Sequence, residues 1–382
     1  MPKLNITKVD YLKAAVMFLP IIFYSPFFFS LSVYPPLRIG TFFLLSIYLF
    51  FSTKRYSKSD AAVFGVLMTL TILMVLSNSS GQLGLITIGN YSLNIFFGWG
   101  LYRYLATNRR RQEIVLGLYV RFFFFVCICS ILSEIYLVLL GEFDLFGIKS
   151  DVYSHLVTPF GVLFVKDFGS INVYRSFFYF NEPVFVGLFY AANIIIIAPL
   201  LNDKASFFVR TNLLGGLISM SMTFYVVLFA LYMTKKFKSF LNIIGVLIVT
   251  FCISFFIQKM NIAEYSSSDD RIDRFNLFFN AMDVANTAQL WFGHGVLFDT
   301  GFDKAFNSGF TLSIYETGLI GAALQIILLF KLSPSFITFI FFMFAATVVD
   351  PIHMPLFWFS IIIASLKLKE ADSTVEKISY GT

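Results

Sequence analysis

Long apolar runs follow one another down almost the whole chain, and short basic clusters separate them. About 18 or more apolar residues in a row is enough for a helix to cross the hydrocarbon of a bilayer. A soluble helix is apolar along one stripe only. Stretches such as 83–106, 114–139 and 309–330 are apolar most of the way round. Charged residues make up 13% of the chain, against about 25% in soluble domains, so the chain lacks the polar surface a water-facing exterior needs. In lipid a helix satisfies its own backbone groups. The expected fold is therefore an all-α polytopic integral membrane protein.

Hydropathy and charge together lay out the spans. They fall near 11–33, 38–52, 61–77, 83–106, 114–139, 183–200, 239–257, 309–330, 335–349 and 352–366. Lys3 and Lys8 precede the first run, which contains Pro20 and lacks a clear small-residue cleavage site; it reads as a retained span. Residues 205–233 lie between Lys204 and the cluster Lys235, Lys236, Lys238, and are expected to form two short legs of roughly 14 residues turning near Ser219–Ser221. Lys54, Arg55 and Lys58, Arg109–Arg111, Lys204, Lys235–Lys238, Lys331 and Lys367/Lys369 are then cytoplasmic by the positive-inside rule. About twelve transmembrane helices result, with both termini cytoplasmic. Two large loops, 141–182 and 258–308, share the periplasmic face. No internal repeat stands out.

The net charge of +6 belongs to those cytoplasmic clusters and does not point to nucleic acid. Cys127, Cys129 and Cys252 all fall inside expected spans without metal or redox spacing, and read as small buried apolar residues. There is no Gly-rich phosphate loop, no two-His metal motif and no carboxylate pair on a cytoplasmic domain. ATP-driven transport and cytoplasmic transfer from nucleotide sugars are thereby disfavoured.

Four constellations could carry chemistry. The first loop ends Arg175-Ser-Phe-Phe-Tyr-Phe-Asn-Glu-Pro183. Pro183 suits the first turn of a helix, which puts Glu182 at that helix's positive end. A guanidinium at Arg175 can clamp a phosphate bidentately, or pair with Glu182, or snorkel to headgroups. In the second loop, Ile272, Phe275, Phe279 and Met282 recur at helical spacing and predict an amphipathic surface helix bearing Arg271 and Arg274. Interfacial anchoring explains that helix equally well.

The third constellation is Trp291-Phe-Gly-His-Gly295 followed by Glu316-Thr-Gly-Leu-Ile-Gly321. Its glycines allow a tight turn and close helix packing. His294 is either a general base or an ordinary turn residue. The fourth is Asp350-Pro-Ile-His353 between the last two spans, where Asp350 is a functional candidate or a helix cap.

Taken in order, these pieces resemble the Wzy-type O-antigen polymerases and their relatives, the O-antigen ligases, which are built like GT-C-type lipid-linked glycan transferases. The resemblance covers roughly residues 170–325. It rests on Arg175 to Pro183, on Arg271/Arg274, on Gly293–Gly295 and on Glu316 to Gly321. Gly187 comes one residue later than the family's spacing from the loop-one arginine. Ligases usually carry a His-Asn pair where this chain has Asn307 and Ser308, which favours the polymerase.

The resemblance implies a metal-independent, cofactor-free, inverting glycosyltransferase of the bacterial inner membrane. It would move a growing glycan from undecaprenyl pyrophosphate to a lipid-linked repeat unit at the periplasmic face. Its partners would be the undecaprenyl-pyrophosphate-linked oligosaccharide, inner-membrane lipid, a chain-length regulator and a flippase, with no nucleic acid. Arg175, Arg271 and Arg274 would stabilise the lipid pyrophosphate as it leaves. Glu182, His294, Asp350 or His353 would accept the acceptor's proton. A lipid-linked oligosaccharide flippase and an O-antigen ligase are the competing readings, and Arg121 inside an expected span keeps the flippase open.

Overall fold

The structure is a computed structural model, and it describes residues 8–18, 34–52, 58–77, 93, 96–106, 108–140, 155–158, 160–167, 172–178, 183–201, 205–236, 276, 278–280, 282–283, 285–293, 309–332, 338–339, 341, 345 and 356–364. Those residues are predominantly helical. The principal helices are α1 (Lys8–Val16), α2 (Tyr34–Phe51), α3 (Lys58–Ser77), α4 (Arg109–Leu140), α5 (Pro183–Ala192), α6 (Ala205–Ile218), α7 (Met222–Lys236), α8 (Thr287–Phe292) and α9 (Gly309–Leu332). Residues 96–106 and 356–364 are also helical. The expected spans near 38–52, 61–77, 114–139, 183–200 and 309–330 each coincide with a helix. The span near 239–257 lies outside the described residues.

The chain departs from an all-α fold in one place among the described residues. The first large loop contains an antiparallel meander of β1 (His155–Thr158), β2 (Gly161–Asp167) and β3 (Asn172–Phe178). The register pairs His155 with Phe164 and Phe164 with Arg175, and a bulge interrupts it between Val162 and Leu163. A tract rich in Val and Phe suits a pleated strand surface. Span hydropathy cannot register such short strands.

α4 holds the centre. Asn108 caps its start, its Oδ1 accepting from the Arg110 amide at 2.9 Å. The expected cytoplasmic loop at Arg109–Arg111 is thus the first turn of a helix. Cations there oppose the helix dipole, so local helix electrostatics does not explain the cluster. Arg111 stacks over Tyr104, 4.0 Å from the ring centroid, and donates to the Tyr104 carbonyl at 3.3 Å. Gln112 donates to the Leu105 carbonyl at 3.0 Å. These contacts fold helix 96–106 back against α4.

α5, α6 and α7 pack through small residues. A methyl group at Gly187 would come within 2.7 Å of Ser221, while Gly215 lies under Tyr190 and Gly216 under Phe224. Such contacts let helix backbones approach closely. α6 and α7 are the two short legs expected for 205–233. Their turn runs through Ser219–Ser221, with Met220 at a left-handed φ of 46°. α4 and α6 run parallel: Phe124 meets Phe207 at 5.5 Å between ring centroids, and the Cys127 thiol, further along α4, donates to the carbonyl of Thr211, further along α6.

α5 does not end as a regular helix. Residues Asn193–Ile197 widen into a π turn and Ala198–Leu200 tighten into a 3-10 turn. Pro199 explains the change, because a proline has no amide hydrogen and its ring clashes with the carbonyl four residues earlier.

One continuous core joins these helices. Trp358, Tyr119, Tyr190, Phe97, Phe123 and Phe189 are its largest fully buried side chains. Trp358 lies over Gly98, so residues 356–364 pack on 96–106 where a side chain is missing. Cys127 and Cys129 are buried and free, as expected; Cys252 lies outside the described residues. One described helix, Arg109–Leu140, is long and apolar enough by itself to cross a membrane, and shorter apolar helices accompany it at Phe185–Leu200, Ala205–Ile218, Thr223–Tyr232 and Thr311–Ile327.

Candidate functional site

The first part of the site is the meander and the helices it rests on. β2 and β3 pack against α4, and β3 also meets α5. Thr158, at the first corner, donates to or accepts from Ser133 Oγ of α4 at 2.9 Å, and its Oγ1 also receives the Gly161 amide at 3.1 Å. Phe160 meets Tyr136 edge-on, with centroids 6.3 Å apart. The loop is therefore fixed to the last third of α4. One residue from Ser133, the half-buried Glu134 has a buried carboxylate oxygen that makes no hydrogen bond among the described residues. Arg175 occupies the middle of β3, and α5 begins at Pro183, as the spacing predicts. Between them the chain leaves the sheet and enters the helix.

The second part is the end of the second large loop. Phe278 is buried against Tyr315 of α9, with Met282, Leu312 and Ile314 around them. The predicted stripe is corrected at one position: Met282 packs as expected, Phe279 is 59% exposed with Phe278 buried in its place, and Ile272 and Phe275 lie outside the described residues. Positions 278 and 282 lie one helical turn apart, so both face α9. α8 then starts on a capping box, in which Asn286 Oδ1 accepts from the Gln289 amide at 2.9 Å and Gln289 Oε1 accepts from the Asn286 amide at 3.0 Å.

α8 ends at Gly293, where φ is +89°. α9 is not the continuous span the hydropathy predicts. It breaks at Gly318, where φ is 67° and ψ is −176°. The two glycines face one another's segments. A Cβ on Gly293 would strike the Glu316 carbonyl, and a Cβ on Gly318 would strike the Trp291 carbonyl and the Gly293 amide. Both the backbone angles and the missing side chains are needed, and only glycine meets both requirements without strain. Glu316 and Thr317, at the break, are 5% and 0% exposed, and the Thr317 hydroxyl donates to the Ser313 carbonyl at 2.7 Å. The Trp291-Phe-Gly and Glu316-Thr-Gly strings, 25 residues apart in register, form one junction.

Of the sequence-derived candidates, Arg175 is placed on β3 by its backbone. Glu182, Arg271, Arg274, His294, Asp350 and His353 lie outside the described residues. No group of three or more His, Cys, Asp or Glu that could hold a metal occurs among the described residues.

Two polar clusters were missed by sequence reasoning. Arg103 Nε lies 3.3 Å from Asp60 Oδ1, joining helix 96–106 to α3 with both side chains largely buried. Within the core, the Tyr119 hydroxyl donates to Asn193 Oδ1 at 2.7 Å, Asn193 Nδ2 donates to Asn212 Oδ1 at 2.8 Å, and Asn212 Nδ2 donates to the Phe208 carbonyl at 2.8 Å. An asparagine in each of two apolar runs was the available signal; polar side chains at that depth are expected to find partners. Comparison with family models, with curated proteins and with solved structures finds no match to this chain.

Proposed function

We propose that this chain is a polytopic inner-membrane glycosyltransferase that polymerises lipid-linked repeat units, as its resemblance to the Wzy-type O-antigen polymerases implies. Its exterior supports the membrane part of that reading. Phe64, Met68, Ile72 and Leu76 form an exposed stripe four residues apart on α3, and Phe124, Phe125, Ile128, Ile135 and Val138–Leu140 are exposed on α4. Contiguous apolar surface of that extent is a liability in water and suits lipid contact.

The observation that carries the reading is the Gly293–Gly318 junction. The motif string on which the resemblance rests is built as a single unit that ties the second loop to a broken helix. In the proposed reaction a sugar hydroxyl of the acceptor repeat unit attacks the anomeric carbon of the donor glycan. The new glycosidic bond forms as the bond to the lipid pyrophosphate breaks, and a protein base takes the hydroxyl proton. Arg175, Arg271 and Arg274 stabilise the departing diphosphate, and no cytoplasmic nucleotide is consumed.

The test is the lipopolysaccharide ladder of a deletion strain. Loss of the polymerase leaves core capped with one repeat. The second reading is a lipid-linked oligosaccharide flippase, favoured by the helix break at Gly318 and the irregular 193–200 turn, since transporters build sites from interrupted helices. Core without any repeat would overturn the polymerase in favour of the flippase or ligase, and accumulated lipid-linked polymer would single out the ligase.

A further inference from the structure

Glu134 is used by none of the roles assigned above. It lies near the far end of α4, about 9 Å short of Leu140 at 1.5 Å per residue. The residue is half-buried, and its Oε1 is buried without a hydrogen-bond partner. A carboxylate left unpaired this near hydrocarbon is costly, so a group in that position is expected to meet a ligand or a proton.

The contact between α4 and α6 fixes what Glu134 faces. The Cys127 thiol donates to the Thr211 carbonyl across these parallel helices. Glu134 lies about two turns beyond Cys127 and within about 20° of the same face. The same distance beyond Thr211 comes Ile218, the last residue of α6, where the Ser219–Ser221 turn begins. Glu134 therefore faces that turn. Ser221 is 0% exposed, and its Oγ is likewise buried with no partner. Gly187, in the second turn of α5, lies against the Ser221 side chain. The end of α4, the start of α5 and the turn between α6 and α7 thus meet at one level, and two unpaired polar side chains lie there.

The first loop meets α4 at that level too. Ser133 and Tyr136 hold the meander through Thr158 and Phe160, and β3, which carries Arg175, packs on both α4 and α5. Successive helical residues are about 100° apart, so Glu134 lies beside the meander contact rather than beneath it.

Resting on the polymerase reading, we propose that Glu134 accepts the proton of the attacking sugar hydroxyl and that Ser221 hydrogen-bonds the same acceptor sugar. The hydroxyl oxygen bonds to the anomeric carbon, and its proton passes to the Glu134 carboxylate. The electron pair of the broken bond leaves with the lipid diphosphate, and the proton is afterwards lost to periplasmic water. Inversion requires the base and the leaving group on opposite faces of the donor sugar. A base beside the meander contact, with Arg175 on the meander itself, suits that requirement.

The full-length chain is reconstituted in proteoliposomes and supplied with the lipid-linked repeat unit extracted from the deletion strain. Glu134→Gln keeps the shape of the side chain and removes its basicity. Turnover should fall about 100-fold or more, with KM within about 2-fold of wild type and an undiminished melting midpoint. Sodium formate should restore part of the turnover of Glu134→Ala, a response that a structural role would not give. Ser221→Ala should raise KM about 5-fold with little effect on kcat, and an unchanged KM removes Ser221 from the site. Turnover of Glu134→Gln within about 5-fold of wild type overturns the base and leaves the polymerase reading intact. A Glu134→Ala chain that gains nothing from formate makes the residue structural and overturns the base as well. Failure of the wild-type chain to lengthen the repeat unit overturns the polymerase reading itself, and the assignment with it.

Discussion

Gly318 interrupts α9 at the point where Gly293 closes α8, and each glycine lies against the backbone of the other's segment. Two left-handed residues and two missing side chains meet at one contact, so the second loop is fastened to the helix bundle by its main chain.

Gly318→Ala should cost about 3 kcal/mol or more, because it combines a strained φ with overlap against the Trp291 and Gly293 backbone. Gly293→Ala should behave alike. Gly117→Ala in α4 is the opposite case: nothing lies within 4 Å of the new methyl, and stability should rise by about 0.5–1 kcal/mol. Melting midpoints in detergent separate the three, and an unchanged midpoint for Gly318→Ala would remove the junction as a structural constraint.

The Asp60–Arg103 pair predicts an asymmetric pair of variants. Removing either partner leaves the other charge largely buried and should destabilise the chain by about 3 kcal/mol or more. Removing both together, as Asp60→Leu with Arg103→Met, should be milder than either single change. A double-mutant cycle showing simple additivity would count against a coupled pair.

The Tyr119–Asn193–Asn212 chain orders two variants by the partners each abandons. Tyr119→Phe removes one donor and should cost about 1 kcal/mol. Asn193→Leu removes the acceptor of the Tyr119 hydroxyl and the donor to Asn212 Oδ1 together and should cost about 2–4 kcal/mol. Equal melting midpoints for the two variants would contradict that order.

Catalysis makes its own demand. Arg175→Ala and Arg271→Ala should each collapse the lipopolysaccharide ladder to a single repeat at normal protein levels. Cysteines introduced singly into 141–182 and 258–308 should both react with a membrane-impermeant maleimide from the periplasm. Full-length ladders in both arginine variants would end the proposed mechanism, and labelling from opposite sides would end the topology beneath it.

Hydropathy alone located most of the described helices, because a run of apolar residues is a local property that any neighbouring packing leaves in place. The two short legs turning at Ser219–Ser221 were legible from charge spacing, and the start of α5 from Pro183. The glycine strings at 293 and 318 were recognisable as tight-turn and close-packing signals.

What only the tertiary structure decided was pairing between distant segments. That Gly293 should meet Gly318, Asn193 meet Asn212, or Asp60 meet Arg103 depends on which helix faces lie together, and a period of 3.6 residues carries no record of its partner. The same limit hid which of two adjacent phenylalanines joins Met282 on the packed face: Phe278 does, and Phe279 is exposed. The meander around Arg175 escaped the span search for a related reason. Short strands are stabilised by neighbours across the sheet, so their signal lies in pairs of segments rather than in any one run.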